Sequence, residues 1–196
     1  PAAEKIPNWS RKRPKAPPNG RFMPFLVEDD DLVPPMAHAG EGYKLHFTGL
    51  THDALGYPDM SATTHHELVT RLKNKVRRNA PEIIRVEEYY LDDADIVVIA
   101  YGCTARSARR SVRLARKKGI RAGLLRPVTL WPFPEERVKE LSKTAGTFIV
   151  AEMNLGQIAL EIERIIRGPV KGIFHAGGSM IAPEPILQAI EEAEGG

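Results

Sequence analysis

Two short loops hold the residue types best suited to receive an anion. Gly102-Cys103-Thr104-Ala105-Arg106 offers a hydroxyl and a guanidinium beside a glycine, and Asn154-Leu155-Gly156-Gln157 offers two amide side chains in a similar setting. Where such a loop runs from a strand into a helix, the free amides and positive dipole end of the helix add to the side chains. Thr104, Arg106, Asn154 and Gln157 are therefore candidate contacts to an anionic ligand. Neither loop has the Gly-x-Gly-x-x-Gly fingerprint of dinucleotide sites or the Gly-Lys-Ser/Thr ending of a phosphate-binding loop. The glycines of both would serve equally well in plain tight turns.

Between Arg106 and Arg126 lie nine Arg or Lys residues and no acid. On a helix, Arg106, Arg109, Arg110, Arg113, Arg116 and Lys117 form one dense cationic face, open to nucleic acid, an anionic cofactor, an acidic protein or simply water. The helix has no aromatic residue on which bases would stack, which argues against nucleic acid. Thr51-His52-Asp53 is a candidate proton relay, half of a metal site, or a hydrogen-bonded turn. No zinc spacing supports the metal reading, since His66-Glu67 runs on into Leu68, Val69 and Thr70. Cys103 stands as a reactive thiol or as a small buried residue, with no base beside it in sequence to favour the first. Gly178-Ser179 lacks the flanking glycine of a nucleophile elbow. No acid–base pair presents itself, and no catalytic or metal-binding residue is assigned.

The elements that must position these loops follow from hydrophobic periodicity. Thr64-His65-His66-Glu67 has the capping-box form, and Leu68, Val69, Leu72 and Val76 then recur at helical spacing until Asn79-Ala80-Pro81. Ile83, Ile84 and Val86 suit a short strand. Asp95 to Tyr101 reads as a central parallel strand, apolar on both faces. Thr104 to Lys118 follows as a helix whose stripe of Ala105, Ala108, Val112 and Ala115 lets it sit close to a sheet. Strands at 120–125, 147–153 and 170–175 alternate with helices that begin near Pro134, Ile158 and Pro183. This alternation predicts an α/β fold, a three-layer doubly wound and mostly parallel sheet, with ligands met beyond the carboxyl ends of the strands.

Composition breaks before that region. Nine of the 16 prolines lie in the first 58 residues, where Arg11, Lys12, Arg13 and Lys15 are followed by Glu28, Asp29, Asp30 and Asp31. Residues 1–63 therefore read as an extended arm, and 64–196 as the α/β domain. The arm's Trp9, Phe22, Phe25, Leu26, Tyr43, Leu45 and Phe47 are too many for a free linker and must lie on some surface. A chain of 196 residues suits one domain with an appendage, and its start at Pro1 suggests a processed or partial product. Net charge of +3 is only mildly basic, and 42% hydrophobic with 27% charged residues is a globular balance. The single cysteine excludes an internal disulfide or a cluster held by this chain alone, and makes the cytoplasm the expected compartment. The longest apolar run, Ile96 to Cys103, is too short to span a bilayer, so no membrane partner is expected.

Several segments together resemble one family. They are Phe47-Thr48-Gly49-Leu50-Thr51-His52-Asp53 with Gly56-Tyr57-Pro58, Asp93 to Gly102, Ala105-Arg106-Ser107-Ala108, Gly123-Leu124-Leu125-Arg126-Pro127, Leu130-Trp131-Pro132-Phe133-Pro134, and Glu152-Met153-Asn154 with Gly156-Gln157. The chain is similar to the alpha subunit of 2-oxoacid:ferredoxin oxidoreductases, most of all the 2-oxoglutarate type. The resemblance implies that residues 64–196 are like the transketolase C-terminal domain and that the arm links to a thiamin pyrimidine-binding domain absent from this sequence. It implies an enzyme that decarboxylates a 2-oxoacid on thiamin diphosphate, passes electrons to ferredoxin and delivers the acyl group to coenzyme A. Thiamin diphosphate, its magnesium and an iron–sulfur cluster would then be held by the complete enzyme with its beta subunit, and none by this segment alone. No catalytic residue carries over, while the four loop residues become candidate coenzyme A contacts. Two other readings remain, a free-standing module for an anionic nucleotide and a purely structural interaction domain.

Overall fold

In the computed structural model the residues described are 10–15, 22–28, 30 and 32–195. The readings at Pro1, Trp9, Asp29 and Asp31 lie outside them. The chain divides into two compact units, one reaching to Ala80 and one from Pro81 onward.

In the first unit the arm's aromatics find one another. Phe25 packs against Phe47 and, at 3.9 Å between ring centres, against His52, while His46 stacks on Tyr57 at 4.6 Å. Thr51-His52-Asp53 proves to be a turn: the Asp53 carboxylate accepts the backbone N–H groups of Leu55 (2.9 Å) and Tyr57 (3.0 Å). Gly56 is required there, because its φ is +91° and a Cβ would stand 2.1 Å from the His46 carbonyl oxygen. Helix α1, Ala62–Arg78, starts two residues before Thr64. Its cap is Ser61, whose hydroxyl accepts the Thr64 N–H, and Asp59 holds both Ser61 N–H and the Thr64 hydroxyl. The expected capping box is thus displaced by a serine three residues upstream, and the helix groups with the residues before it. Its apolar stripe forms, yet Val69 and Leu72 stay exposed.

A turn of helix, α2 (Ala80–Ile83), spans the boundary between the units, and Ile83 sits in it instead of in a strand. The strand starts only at Val86. The second unit then runs β1 (Val86–Tyr89), β2 (Ile96–Ala100), α3 (Thr104–Lys117), β3 (Ala122–Pro127), α4 (Glu135–Leu141), β4 (Thr147–Glu152), α5 (Gln157–Ile166), β5 (Lys171–Phe174) and α6 (Pro183–Glu194). The sheet order is β1-β3-β2-β4-β5, parallel except for the antiparallel edge strand β1. Strand β2 is buried on both faces. Ile96, Val98 and Ala100 pack with Ala105, Ala108 and Val112 of α3 and Ile186 and Ile190 of α6. Val97 and Ile99 pack with Val138 and Leu141 of α4 and Ile162 of α5. The three-layer doubly wound reading holds, with two hydrophobic cores separated by one sheet. Gly123 lets β3 pass the β1–β2 connection, since a Cβ would meet the Tyr90 carbonyl oxygen at 2.5 Å. Among the described residues no helix is long and apolar enough to cross a membrane.

Candidate functional site

Because β2 and β4 are parallel neighbours, their carboxyl ends release the two candidate loops side by side. Three side chains lock them together. The Tyr101 hydroxyl donates to Glu152 Oε2 at 3.0 Å, and Asn154 Nδ2 donates to Tyr101 Oη (2.7 Å) and to Glu152 Oε2 (2.8 Å). Cys103 Sγ approaches Met153 Sδ at 3.4 Å across the same seam. Cys103 is exposed, against the expectation of a buried residue, because it precedes the first buried turn of α3.

Glu152 is 1% exposed and pairs with no cation among the described residues. Its carboxylate instead accepts the backbone N–H groups of Ile158 (3.1 Å) and Ala159 (3.0 Å), in the first turn of α5. Asn154 Oδ1 accepts those of Gly156 and Gln157, both at 2.9 Å. Four amides at the start of this helix are therefore already bound to oxygens of the chain itself. The chain supplies its own anion to the positive end of α5. Burial, and then the hydrogen bond to Glu152, push the Tyr101 hydroxyl up to about 12.

This geometry redistributes the four candidate contacts. Asn154 has both ends of its amide engaged within the chain and works as a brace between the loops. The Gln157 N–H is taken, leaving only its exposed side chain. Thr104 is 2% exposed, which leaves it closed to a ligand from solvent. Arg106 and Gln157 are the two of the four that are exposed with side chains that have no partner among the described residues, and of these only Arg106 carries charge. Arg116 leaves the expected cationic face as well. It lies beside the helix's buried stripe, with Nε donating to the Ala122 carbonyl (2.7 Å), an Nη donating to the Tyr90 carbonyl (2.7 Å), and its fork on Asp93.

Tyr101 and Glu152 are the residues that motif reading passed over. One signal was available: Glu152 is a carboxylate at the end of an otherwise apolar strand, two positions before the Asn-x-Gly turn. His175 Nε2 and Ser179 Oγ, 2.6 Å apart beyond β5, were also not foreseen. Gly177 makes room for that ring, since a Cβ there would lie 2.7 Å from it. Among the described residues no carboxylate pairs with the other ring nitrogen, so a hydrolytic triad is not completed. Nor do any three described His, Cys, Asp or Glu side chains converge to hold a metal ion, and one cysteine does not hold a cluster.

Comparison with known proteins supplies the family context for this site. Residues 94–186 match the model of the pyruvate:ferredoxin oxidoreductase core domain II. Over 183 residues, 92% of this chain, the sequence is 43% identical to a 2-oxoglutarate synthase subunit KorA of Methanocaldococcus jannaschii, of which it covers 48%. It is 42% identical over 126 residues, 63% of the chain, to a ketoisovalerate oxidoreductase subunit VorB of Methanothermobacter thermautotrophicus, of which it covers 36%. A 2-oxoglutarate:ferredoxin oxidoreductase structure from Magnetococcus marinus, with 2-oxoglutarate, coenzyme A and succinyl-CoA bound, superposes with a TM-score of 0.73 at 26% identity. The match covers 84% of this chain and 29% of that one. The chain thus spans about half the length of the 2-oxoglutarate synthase subunit it matches.

Proposed function

Because this chain carries a pyruvate:ferredoxin oxidoreductase core domain II and is kin along most of its length to 2-oxoglutarate synthase subunits, we propose that it is part of the alpha subunit of a 2-oxoacid:ferredoxin oxidoreductase. The complete enzyme would oxidatively decarboxylate a 2-oxoacid, 2-oxoglutarate first among candidates, to the acyl-CoA and pass the electrons to ferredoxin in the cytoplasm. The observation that carries this reading is the 43% identity sustained over 92% of the chain. The described residues do not fit a metal ion or a cluster. By the family resemblance, thiamin diphosphate, magnesium and the iron–sulfur cluster would be held by the remainder of the complex, including its beta subunit, and no chemical step is routed through this segment. Residues 1–63 serve as the link toward the thiamin-activating part of the subunit.

The segment's own work is assembly and, at Arg106, a border to the path of anionic coenzyme A. A free-standing nucleotide module is the weaker alternative, since the α5 amides that would hold a phosphate are filled by Glu152 and Asn154. The test is reconstitution of the full-length subunit with its beta subunit, followed by viologen reduction. Reduction that requires both 2-oxoglutarate and coenzyme A is expected. A preference for a branched 2-oxoacid or pyruvate would overturn the substrate, and assembly without any 2-oxoacid-dependent reduction would overturn the function. Arg106→Ala should raise the KM for coenzyme A with assembly intact, and an unchanged KM would remove Arg106 from that path. A nucleotide module predicts instead a thermal shift of the isolated chain with coenzyme A or ATP, because a ligand that binds only the folded state stabilises it.

A further inference from the structure

Helix α3 keeps four of its six cations away from the acids of its own unit. Residues 81–196 contain 16 Arg or Lys and 16 Asp or Glu, so the unit is neutral as a whole. Half of its cations are partnered: Arg116, Lys118, Arg121, Arg126, Arg137, Lys139, Arg164 and Lys171 each sit on a carboxylate. Arg106, Arg109, Arg110, Arg113 and Lys117 behave differently. They are exposed along one side of α3 and, with half-buried Leu114, border an open groove of about 460 Å³. Four of them have no hydrogen bond or ion pair among the described residues. Arg109 lays its guanidinium over the Tyr89 ring, 4.2 Å from its centre, and lies within electrostatic reach of Glu87.

We propose that this face of α3 docks an acidic protein surface, one whose carboxylates are spread along a helix or strand with an apolar side chain to meet Leu114. Its shape favours that occupant over a small anion. A diphosphate needs cations that converge on one point, whereas Arg106 and Lys117 are separated by about 16 Å at 1.5 Å per helical residue. Its chemistry favours protein over nucleic acid. The aromatic beside these cations, Tyr89, is not open to stack a base, since Arg109 covers its ring, the core packs against it and its hydroxyl donates to Glu87; an apolar residue beside an arginine cluster is the composition of a protein-docking patch. Charge complementarity of this kind steers encounter and sets specificity against partners of the wrong sign. The face would dock such a partner whichever 2-oxoacid the whole enzyme consumes.

The experiment uses the 196-residue chain and a fluorescent helical peptide of about 14 residues, with Glu at i, i+3, i+4 and i+7 and one leucine. Binding is read by anisotropy at low and at moderate salt. The expected result is binding that weakens steeply with salt, with each of Arg110→Glu and Arg113→Glu costing roughly 2- to 10-fold in Kd. Leu114→Ala should weaken the peptide but not a single-stranded oligothymidine of equal charge. Lys143→Glu, which makes the same charge change at an exposed site away from α3, should leave the peptide's Kd unchanged. Equal losses for Arg110→Glu and Lys143→Glu would overturn the proposal. So would tighter binding of the oligothymidine than of the peptide, complete competition by pyrophosphate at equimolar concentration, or a self-association of the chain that Arg110→Glu abolishes.

Discussion

Replacing Glu152 by Gln tests whether the carboxylate beneath the two loops is what holds them. The substitution keeps the shape and removes the charge, so one carboxylate oxygen becomes an NH2 group. If that group takes the Oε2 position it confronts Asn154 Nδ2, another donor, now 2.8 Å from Oε2. If it takes the Oε1 position it confronts the N–H groups of Ile158 and Ala159, 3.1 and 3.0 Å away. Either orientation leaves at least one buried donor without an acceptor, at about 1–3 kcal/mol. Loss of the negative charge at the start of α5 adds about 0.5–2 kcal/mol.

The combined cost of about 2–4 kcal/mol corresponds to a fall in Tm of about 5–15 °C for a protein of this length, taking about 2–4 °C per kcal/mol. Calorimetry at pH 7 reads it directly. Tyr101→Phe alone should cost about 1 kcal/mol, and the double variant should fall short of the sum because the two groups share one network. A Glu152→Gln melt within about 1 °C of the parent, or strict additivity with Tyr101→Phe, would refute the idea that a self-supplied anion caps this helix.

Three further outcomes follow from the same geometry. The Tyr101 pKa of about 12 lies above its unfolded value of about 10, so folding favours the neutral phenol. That contribution is complete below about pH 10 and is lost as pH rises through about 12, and an ultraviolet titration of Tyr101→Phe should lack the last phenol to ionise. Arg116→Lys should destabilise by about 1–3 kcal/mol in urea unfolding, almost as much as Arg116→Ala, because an ammonium cannot reach the Ala122 and Tyr90 carbonyls and Asp93 at once; full rescue by lysine would show that charge alone matters. Gly123→Ala should cost about 1–3 kcal/mol by forcing a Cβ against the Tyr90 carbonyl oxygen, and an unchanged denaturation midpoint would contradict the close approach of that connection to β3.

The sheet was legible because its signals are local. An apolar run at 96–100 and a stripe of small residues at 105, 108, 112 and 115 need no knowledge of partners to be read, and both occupy the core as expected. The α1 cap was misread for the opposite reason. Thr64 and Glu67 satisfy the motif on paper, but Ser61 and Asp59 compete for the same groups and win. The site was legible in place and not in role. Sequence put Asn154 and Gln157 at a helix start, yet the group that fills that start, Glu152, reaches α5 only through the strand-to-helix turn. The Tyr101 hydroxyl that donates to Glu152 lies just past the end of β2, 51 positions away. No local pattern encodes that pairing. It follows from the parallel register that sets Ala100 beside Ala151.

One local rule is broken without an internal remedy, and it is broken on α3. Like charges three or four residues apart repel by about 0.2–0.5 kcal/mol each. Arg106, Arg109, Arg110, Arg113 and Lys117 make five such pairs, a strain of about 1–2.5 kcal/mol, with Arg106 also facing the positive end of the helix dipole. The stripe of alanines packed on the sheet can carry that load, so the helix forms despite its surface. Nothing in the fold requires it, however, since an acid at position 110 or 113 would relieve the repulsion and disturb no buried contact. A neutral unit that pairs cations elsewhere and gathers five of them on one ridge therefore holds a charge imbalance that an acidic partner would discharge. The free energy released on neutralising that ridge adds to the docking of the partner, and the strain should be visible beforehand as a rise in Tm of the isolated chain when salt is added, an effect that Arg110→Glu should reduce.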